Sequence, residues 1–219
     1  MNKFQPLRSN RAISRISILF VVSLTILSVL AYLVTSGTTL GVDSSALLWI
    51  NSHANHTFDS FFLVVTELGG VVVVTTVTLL AFIYFLVKKS YDKATLMALG
   101  VGGAAGIGYI LKAIFERSRP DLWEWLIVES NFSFPSGHAI GSSALALCLV
   151  VVFWKTKWRR YAAIGAITYV VVVSFSRLYL GVHYPSDILG GWLLSATWIS
   201  ALTCAICLYE IDNNKKSLL

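Results

Sequence analysis

Six apolar runs, each close to the ~20 residues that a helix needs to cross hydrocarbon, dominate this chain. They cover about Ser14–Thr35, Gly70–Val87, Ala94–Ile114, His138–Trp154, Tyr161–Ser176 and Asp187–Tyr209. A water-soluble domain of 219 residues could not hide a sequence that is 56% hydrophobic and only 13% charged. The runs are continuous, whereas barrel strands would alternate apolar and polar residues. The expectation is therefore an all-α integral membrane protein, a bundle of six transmembrane helices forming one membrane-embedded domain over residues 1–219. The first run follows Lys3, Arg8, Arg11 and Arg15, as a secretory signal would. Its apolar stretch is too long for a signal core and ends without an A-x-A-like site, so it reads as a retained anchor.

The formal charge of +6 sits where topology puts it. With the N-terminus inside, all but four of the 17 Lys and Arg residues fall on cytoplasmic segments. This places both termini in the cytoplasm and removes the case for a nucleic-acid partner. The four outer cations are Lys112, Arg117, Arg119 and Arg177. Arg117 reads as a snorkelling side chain paired with Glu116, while the other three sit where the charge rule does not want them.

Other features have plain readings. Cys148, Cys204 and Cys207 lie within spans and read as packing residues, not as a disulfide or metal set. Gly100, Gly102, Gly103, Gly106 and Gly108 allow close helix contact. Residues 36–69 carry Leu47, Trp49, Phe58 and Phe62 at spacings that suggest short interfacial helices. Their His53 and His56 form a solvated pair, and Trp123 and Trp125 read as headgroup-level anchors.

Three polar segments carry the chemistry. They are Lys112-AIFERS-Arg119-Pro120, Pro135-Ser136-Gly137-His138, and Ser176-Arg177-LYLGV-His183-YPS-Asp187. Helix order brings all three to one outer face. Lys112, Arg119 and Arg177 can neutralise a phosphate dianion, and arginine can do so bidentately. Ser136 and Gly137 precede a helix whose free N–H groups suit an anion. His183 and Asp187 sit four apart across a Pro-containing turn, so the carboxylate can fix the imidazole tautomer. His138 can serve as proton donor. The residues alone leave the two histidine roles interchangeable, with Asp187 favouring His183 as nucleophile.

All eleven fixed positions of K-x6-RP, PSGH and SR-x5-H-x3-D are present, in order and at the right spacing. The chain thereby resembles the type 2 phosphatidic acid phosphatase family over residues 112–187, and its six-helix layout extends the likeness further. The resemblance implies a metal-independent lipid phosphatase without a cofactor, working through a phosphohistidine at the outer membrane interface. It implies His183 as nucleophile, Asp187 as its partner and His138 as acid, with Lys112, Arg119, Ser136, Gly137 and Arg177 binding phosphate. Bacterial members of this kind act in the cell membrane, and phosphatidylglycerol phosphate is the leading expected substrate. Undecaprenyl pyrophosphate, phosphatidic acid and transfer to an acceptor lipid are the alternatives. A vanadate-dependent haloperoxidase, or a transporter or scaffold with an unused site, are alternatives of another class. The sequence leaves oligomeric state open.

Overall fold

The computed structural model describes residues 10–216 as eight helices. Lys3 and Arg8, counted above on the inner side, lie outside the described residues. The helices are α1 (Asn10–Thr35), α2 (Leu40–Asn51), α3 (His56–Glu67), α4 (Val71–Val87), α5 (Tyr91–Phe115), α6 (Gly137–Phe153), α7 (Arg159–Tyr179) and α8 (Pro185–Lys216). Every expected span corresponds to one helix: α1 and α4 through α8. The short helices α2 and α3 fill the segment where interfacial helices were expected.

Five stretches are long and apolar enough to cross a membrane, one of them joining α3 to the 17-residue α4 as His56–Val87, while α6, also 17 residues, has no such extension. At 1.5 Å per residue α6 spans about 26 Å, short of a ~30 Å hydrocarbon core. The missing length is made up by its lead-in, Ser133–Ser136, which is wholly buried in protein. Irregular backbone is tolerated at such depth only where protein covers it.

Helix α6 is the hub, packed against α5, α7 and α8, while α1 lies along α8. Buried Leu96, Val101, Ala104, Ile140, Ala144, Cys148, Leu194 and Ile199 make the main core. Apolar residues on α1 and α4, such as Ile18, Val22, Val71 and Leu80, face outward. Lipid tails offer no hydrophobic drive for helix association, so close contact and hydrogen bonds carry it. A Cβ on Gly100 would stand 2.5 Å from Cys148 Sγ, and one on Gly103 would meet the Trp198 ring at 2.5 Å. Gly102 and Gly106 face open space instead. The packing role expected of all five glycines is therefore absent at these two.

Several hydroxyls inside the spans find acceptors, which hydrocarbon cannot offer, although buried Thr203 Oγ1 in α8 has none. Thr78 and Ser142 donate to carbonyls one turn back, and Thr197 Oγ1 meets Ser23 Oγ across α1 and α8 at 2.9 Å. Cys148 donates to Leu96 O, and the three cysteines form no disulfide.

The turns joining α4 to α5 and α6 to α7 hold Lys88, Lys89, Lys155 and Lys157 at one end of the bundle. The end of α5 and the starts of α6 and α8 gather at the other, where the polar segments lie.

Candidate active site

Three helix ends and two linkers build the site. Helix α5 supplies Lys112 in its last turn and stops at Glu116, whose left-handed backbone (φ 45°) donates its N–H to Lys112 O. That reversal is a helix C-terminal device. It sends Arg117 and Arg119 back over the end of the bundle. The segment up to α6 is then held by the cations themselves. Lys112 Nζ donates to Phe132 O and Ser133 O, and Arg119 Nε donates to Asn131 O at 2.8 Å. Trp125 is half-buried and donates to Pro120 O, and half-buried Trp123 packs on Gly181. The two tryptophans thus pack on the site's own walls.

Ser136 caps α6 through the Ala139 N–H and donates its own N–H to Asp187 O, fastening the starts of α6 and α8 together. Gly191 makes that contact possible, because a Cβ there would come within 2.8 Å of Ala139 Cβ. Gly137 has open space where a side chain would be, so its backbone faces the cavity. His138, one residue further on, lines the same cavity with its ring edge against Gly69.

Helix α7 ends beside Gly181, whose φ of 70° carries the chain into His183 and the next helix. Pro185 opens α8 with its missing N–H where no partner is needed. Asp187, at the third helical position, reaches back to accept the Tyr184 N–H at 2.8 Å, as in half of a capping box. The same oxygen, Oδ2, accepts the Ser133 hydroxyl at 2.5 Å and faces His183 Nδ1 at 3.4 Å. The H-x3-D spacing is therefore a helix start that also grips an imidazole. With Nδ1 turned to Asp187 and Ser133, Nε2 is the nitrogen left to face the cavity, where Arg119 Nη1 stands 3.1 Å away.

The His183 side chain is 1% exposed, and its pKa lies well below the ordinary imidazole value of 6.5. Burial is the main cause, followed by the cations Arg119, Arg177 and Lys112 and then by His138. The ring is therefore neutral, with a lone pair available, across the physiological range. A rate that requires neutral His183 falls only as pH drops through its lowered pKa. Corrected for substrate ionisation, the acid limb of kcat/KM is expected below pH 6.5. A limb above that value in the pH–rate profile would contradict this environment.

The structure brings all eight expected site residues to one place. Arg177, 1% exposed, donates to Thr66 Oγ1 at 2.8 Å and to Glu129 Oε1, while its Nε has no partner. Glu129 Oε2 also meets Arg119 Nη2 at 3.1 Å, so one carboxylate bridges two of the expected phosphate-binding arginines. Arg117 differs from expectation. Instead of snorkelling beside Glu116, it is buried between Asp43 and Asp187, at 2.8 and 2.5 Å. A guanidinium in so dry a place needs carboxylates within reach, and exposed Glu116 does not enter it. Glu129, Ser133, Asp43 and Arg117 are the site residues that sequence reasoning missed. The isolated Asp43 in the apolar run Leu40–Ile50 was the one available signal.

Two cavities meet at Lys112, Arg119 and Glu129. One, of about 550 Å³, runs from His138 and His183 into a trough of Val71, Val74, Thr78, Leu79, Ala98 and Gly102. The other, of about 510 Å³, is bordered by Lys112, Arg117, Arg119, Ser130 and Asn131.

A multi-pass helical membrane protein with paired histidines, a buried carboxylate and a cluster of cations is the class that fold and site define. The chain belongs to the PAP2 superfamily, whose family model matches residues 93–208, and it is a membrane lipid phosphatase of that superfamily. It is 36% identical over 115 residues to phosphatidylglycerophosphatase B of Bacillus subtilis, a match covering 50% of this chain and 56% of that protein. It is 29% identical to the undecaprenyl-diphosphatase of Sulfolobus acidocaldarius, across 83% of this chain and 86% of the relative. Its fold matches the crystal structure of the transmembrane PAP2-type phosphatidylglycerolphosphate phosphatase of Bacillus subtilis with a TM-score of 0.76. That match has 25% identity and covers 84% of this chain and 93% of the other.

Proposed function

We propose that the chain removes the terminal phosphate of a membrane lipid, phosphatidylglycerol phosphate first among them, at the outer face of a bacterial cell membrane. The observation that carries this reading is the continuity of one cavity from the two histidines into an apolar trough. A phosphate seated at the cations would leave its acyl or prenyl tail lying in that trough between α4 and α5. The lysine-rich turns at the opposite end of the bundle support an outward-facing site.

The steps follow from the side chains. The phosphate takes donors from Arg119, Arg177 and Lys112, the hydroxyl of Ser136 and the backbone at Gly137, displacing the Glu129 carboxylate from between the arginines. As Arg119 turns to the phosphate, His183 Nε2 is freed to attack phosphorus. The Nε2–P bond forms and the bond from phosphorus to the lipid oxygen breaks. His138 gives its proton to that leaving oxygen, and Asp187 stabilises the charged ring. His138, now neutral, takes a proton from water, whose oxygen attacks phosphorus and returns His183 and inorganic phosphate. The residues supply both the charge neutralisation and the proton traffic, so no metal or cofactor enters the scheme.

A diphosphate lipid is the second reading, favoured by the adjoining cavity. Its border of Lys112 and Arg119 gives a second phosphate both room and positive charge. Phosphate release from phosphatidylglycerol phosphate, undecaprenyl pyrophosphate and phosphatidic acid, measured side by side in mixed micelles, orders the candidates. A rate on phosphatidylglycerol phosphate tenfold below either other lipid would overturn the first choice. A phosphorylated acceptor lipid with little free phosphate would indicate transfer instead of hydrolysis. The same panel tests the trough with Gly102→Leu, because a side chain there meets no protein atom within 4 Å and projects into the cavity. Long-tailed lipids are expected to lose about tenfold in kcat/KM, as about 1.4 kcal/mol of tail contact, roughly two buried methylenes, is displaced. A water-soluble short-chain phosphate should be unaffected.

A further inference from the structure

We propose that Asp43, outside the three signature segments, and Arg117, at a variable position within the first of them, act as an outer pair that positions Asp187 and, through it, His183. The proposal rests on the reading of His183 as nucleophile and extends it to residues contributed by α2 and by the end of α5.

The geometry is a closed set of contacts. Arg117 Nη1 donates to Asp187 Oδ1 at 2.5 Å and to Ser186 Oγ at 2.7 Å, and Nη2 donates to Asp43 Oδ2 at 2.8 Å. Asp43 accepts from Ser186 twice, from the backbone N–H at 3.0 Å and from the hydroxyl. Its carboxylate thus caps one of the N–H groups that the start of α8 leaves unsatisfied, from a helix 143 residues away in sequence. The guanidinium also lies over the Tyr184 ring, 4.3 Å from its centroid. Tyr184 in turn gives its N–H to Asp187.

This arrangement divides the labour of the Asp187 carboxylate. Oδ2 serves Ser133, Tyr184 and His183, and Oδ1 belongs to Arg117. Without Arg117 a fully buried carboxylate would lose its ion-paired guanidinium and the partner of Oδ1, and be held through Oδ2 alone by Ser133 and Tyr184. The imidazole depends on that oxygen for its orientation, so a small rotation moves Nε2 off the line of attack. Asp43 balances the guanidinium, because an unopposed cation would drain charge from Asp187. The alternating row Asp43, Arg117, Asp187, His183 leads from buried Asp43 on α2 to the reacting nitrogen.

Signs of charge distinguish positioning from simple structural support. His183 faces Lys112 from α5, Arg119 from the following linker, His138 from α6, Arg177 from α7 and Asp187 from α8. Arg117→Gln removes a positive charge behind Asp187, so protonated His183 becomes easier to form and the acid limb moves to higher pH. Asp43→Asn removes a negative charge and leaves Arg117 paired with Asp187 without its second carboxylate, and so moves the limb to lower pH. Loss of packing has no reason to move it in opposite directions.

The test uses the full chain in detergent micelles and compares wild type, Arg117→Gln, Arg117→Lys and Asp43→Asn. It reads kcat, the acid limb of kcat/KM, inhibition by orthovanadate and the melting temperature. Expected are kcat losses of about ten- to hundredfold for the two charge-removing variants, in the range of outer-shell substitutions elsewhere. Vanadate inhibition should stay within about threefold, the limbs should shift in opposite directions, and lysine should recover part of the rate. Unchanged kcat, limbs shifting the same way, or rate lost in step with vanadate binding and melting temperature would each overturn the proposal. His183→Ala run in parallel keeps the two ideas apart. Turnover surviving there would remove the nucleophile reading itself, whereas silence in Arg117→Gln beside a dead His183→Ala would remove only the outer pair.

Discussion

His183→Ala is expected to lower turnover by about ten-thousand-fold or more, the scale on which a nucleophile's removal is felt. The acid-labile phosphoprotein trapped by rapid quench of the wild type should also be missing. The expectation rests on how completely the ring is prepared. It is buried, neutral, turned by Asp187 and Ser133, and aimed at the cations through Nε2. Alanine leaves a space but disturbs few contacts, since Ser133 and Tyr184 still hold Asp187. Lys112, Arg119 and Arg177 also keep their own partners. Orthovanadate should therefore still bind with a loss of about tenfold, separating a dead site from a misfolded one. A variant that turned over at a tenth of the wild-type rate, or that still gave phosphoprotein, would transfer the nucleophile's role elsewhere.

The spans were legible because hydrocarbon imposes one rule on every residue it touches, and α1 and α4 through α8 fall where that rule put them. The cations and histidines among the expected site residues stood out for a different reason. A cation or histidine at a span end on the wrong side of the charge bias is costly, so its presence points to use. Arg117 shows the limit of that argument. It obeyed the same pattern as Arg119, yet its partner lay 74 residues away on α2, and sequence proximity suggested Glu116 instead. Glu129 was hidden similarly, among acids of a segment whose fold depends on Lys112 and Arg119 gripping its carbonyls. Gly102 and Gly106 could not be told from Gly100 and Gly103 by spacing, because a cavity beside α5 and a neighbouring helix ask for the same small residue. Contacts between distant segments decide these cases, and periodicity carries no record of them.

His138→Ala separates the proton donor from the nucleophile and bears on the substrate as well. Loss of a general acid costs about a hundred- to ten-thousand-fold when the leaving oxygen is a poor leaving group. The alkoxide of a glycerol lipid is such a group, so phosphatidic acid and phosphatidylglycerol phosphate should show the full loss. An aryl phosphate departs as a stabilised anion and needs little help, and the terminal phosphate of a diphosphate lipid departs from a phosphate oxygen. Both should lose much less, on the order of tenfold, because the donor's contribution falls as the leaving group's own acidity rises. His138 shares its cavity with Lys112, Glu129 and His183, groups that can also carry a proton. Equal losses on alkyl, aryl and diphosphate substrates in single-turnover kinetics would reject the acid role. A graded loss would fix His138 at the leaving oxygen and show, through the slope, which class of lipid phosphate most needs the proton it supplies.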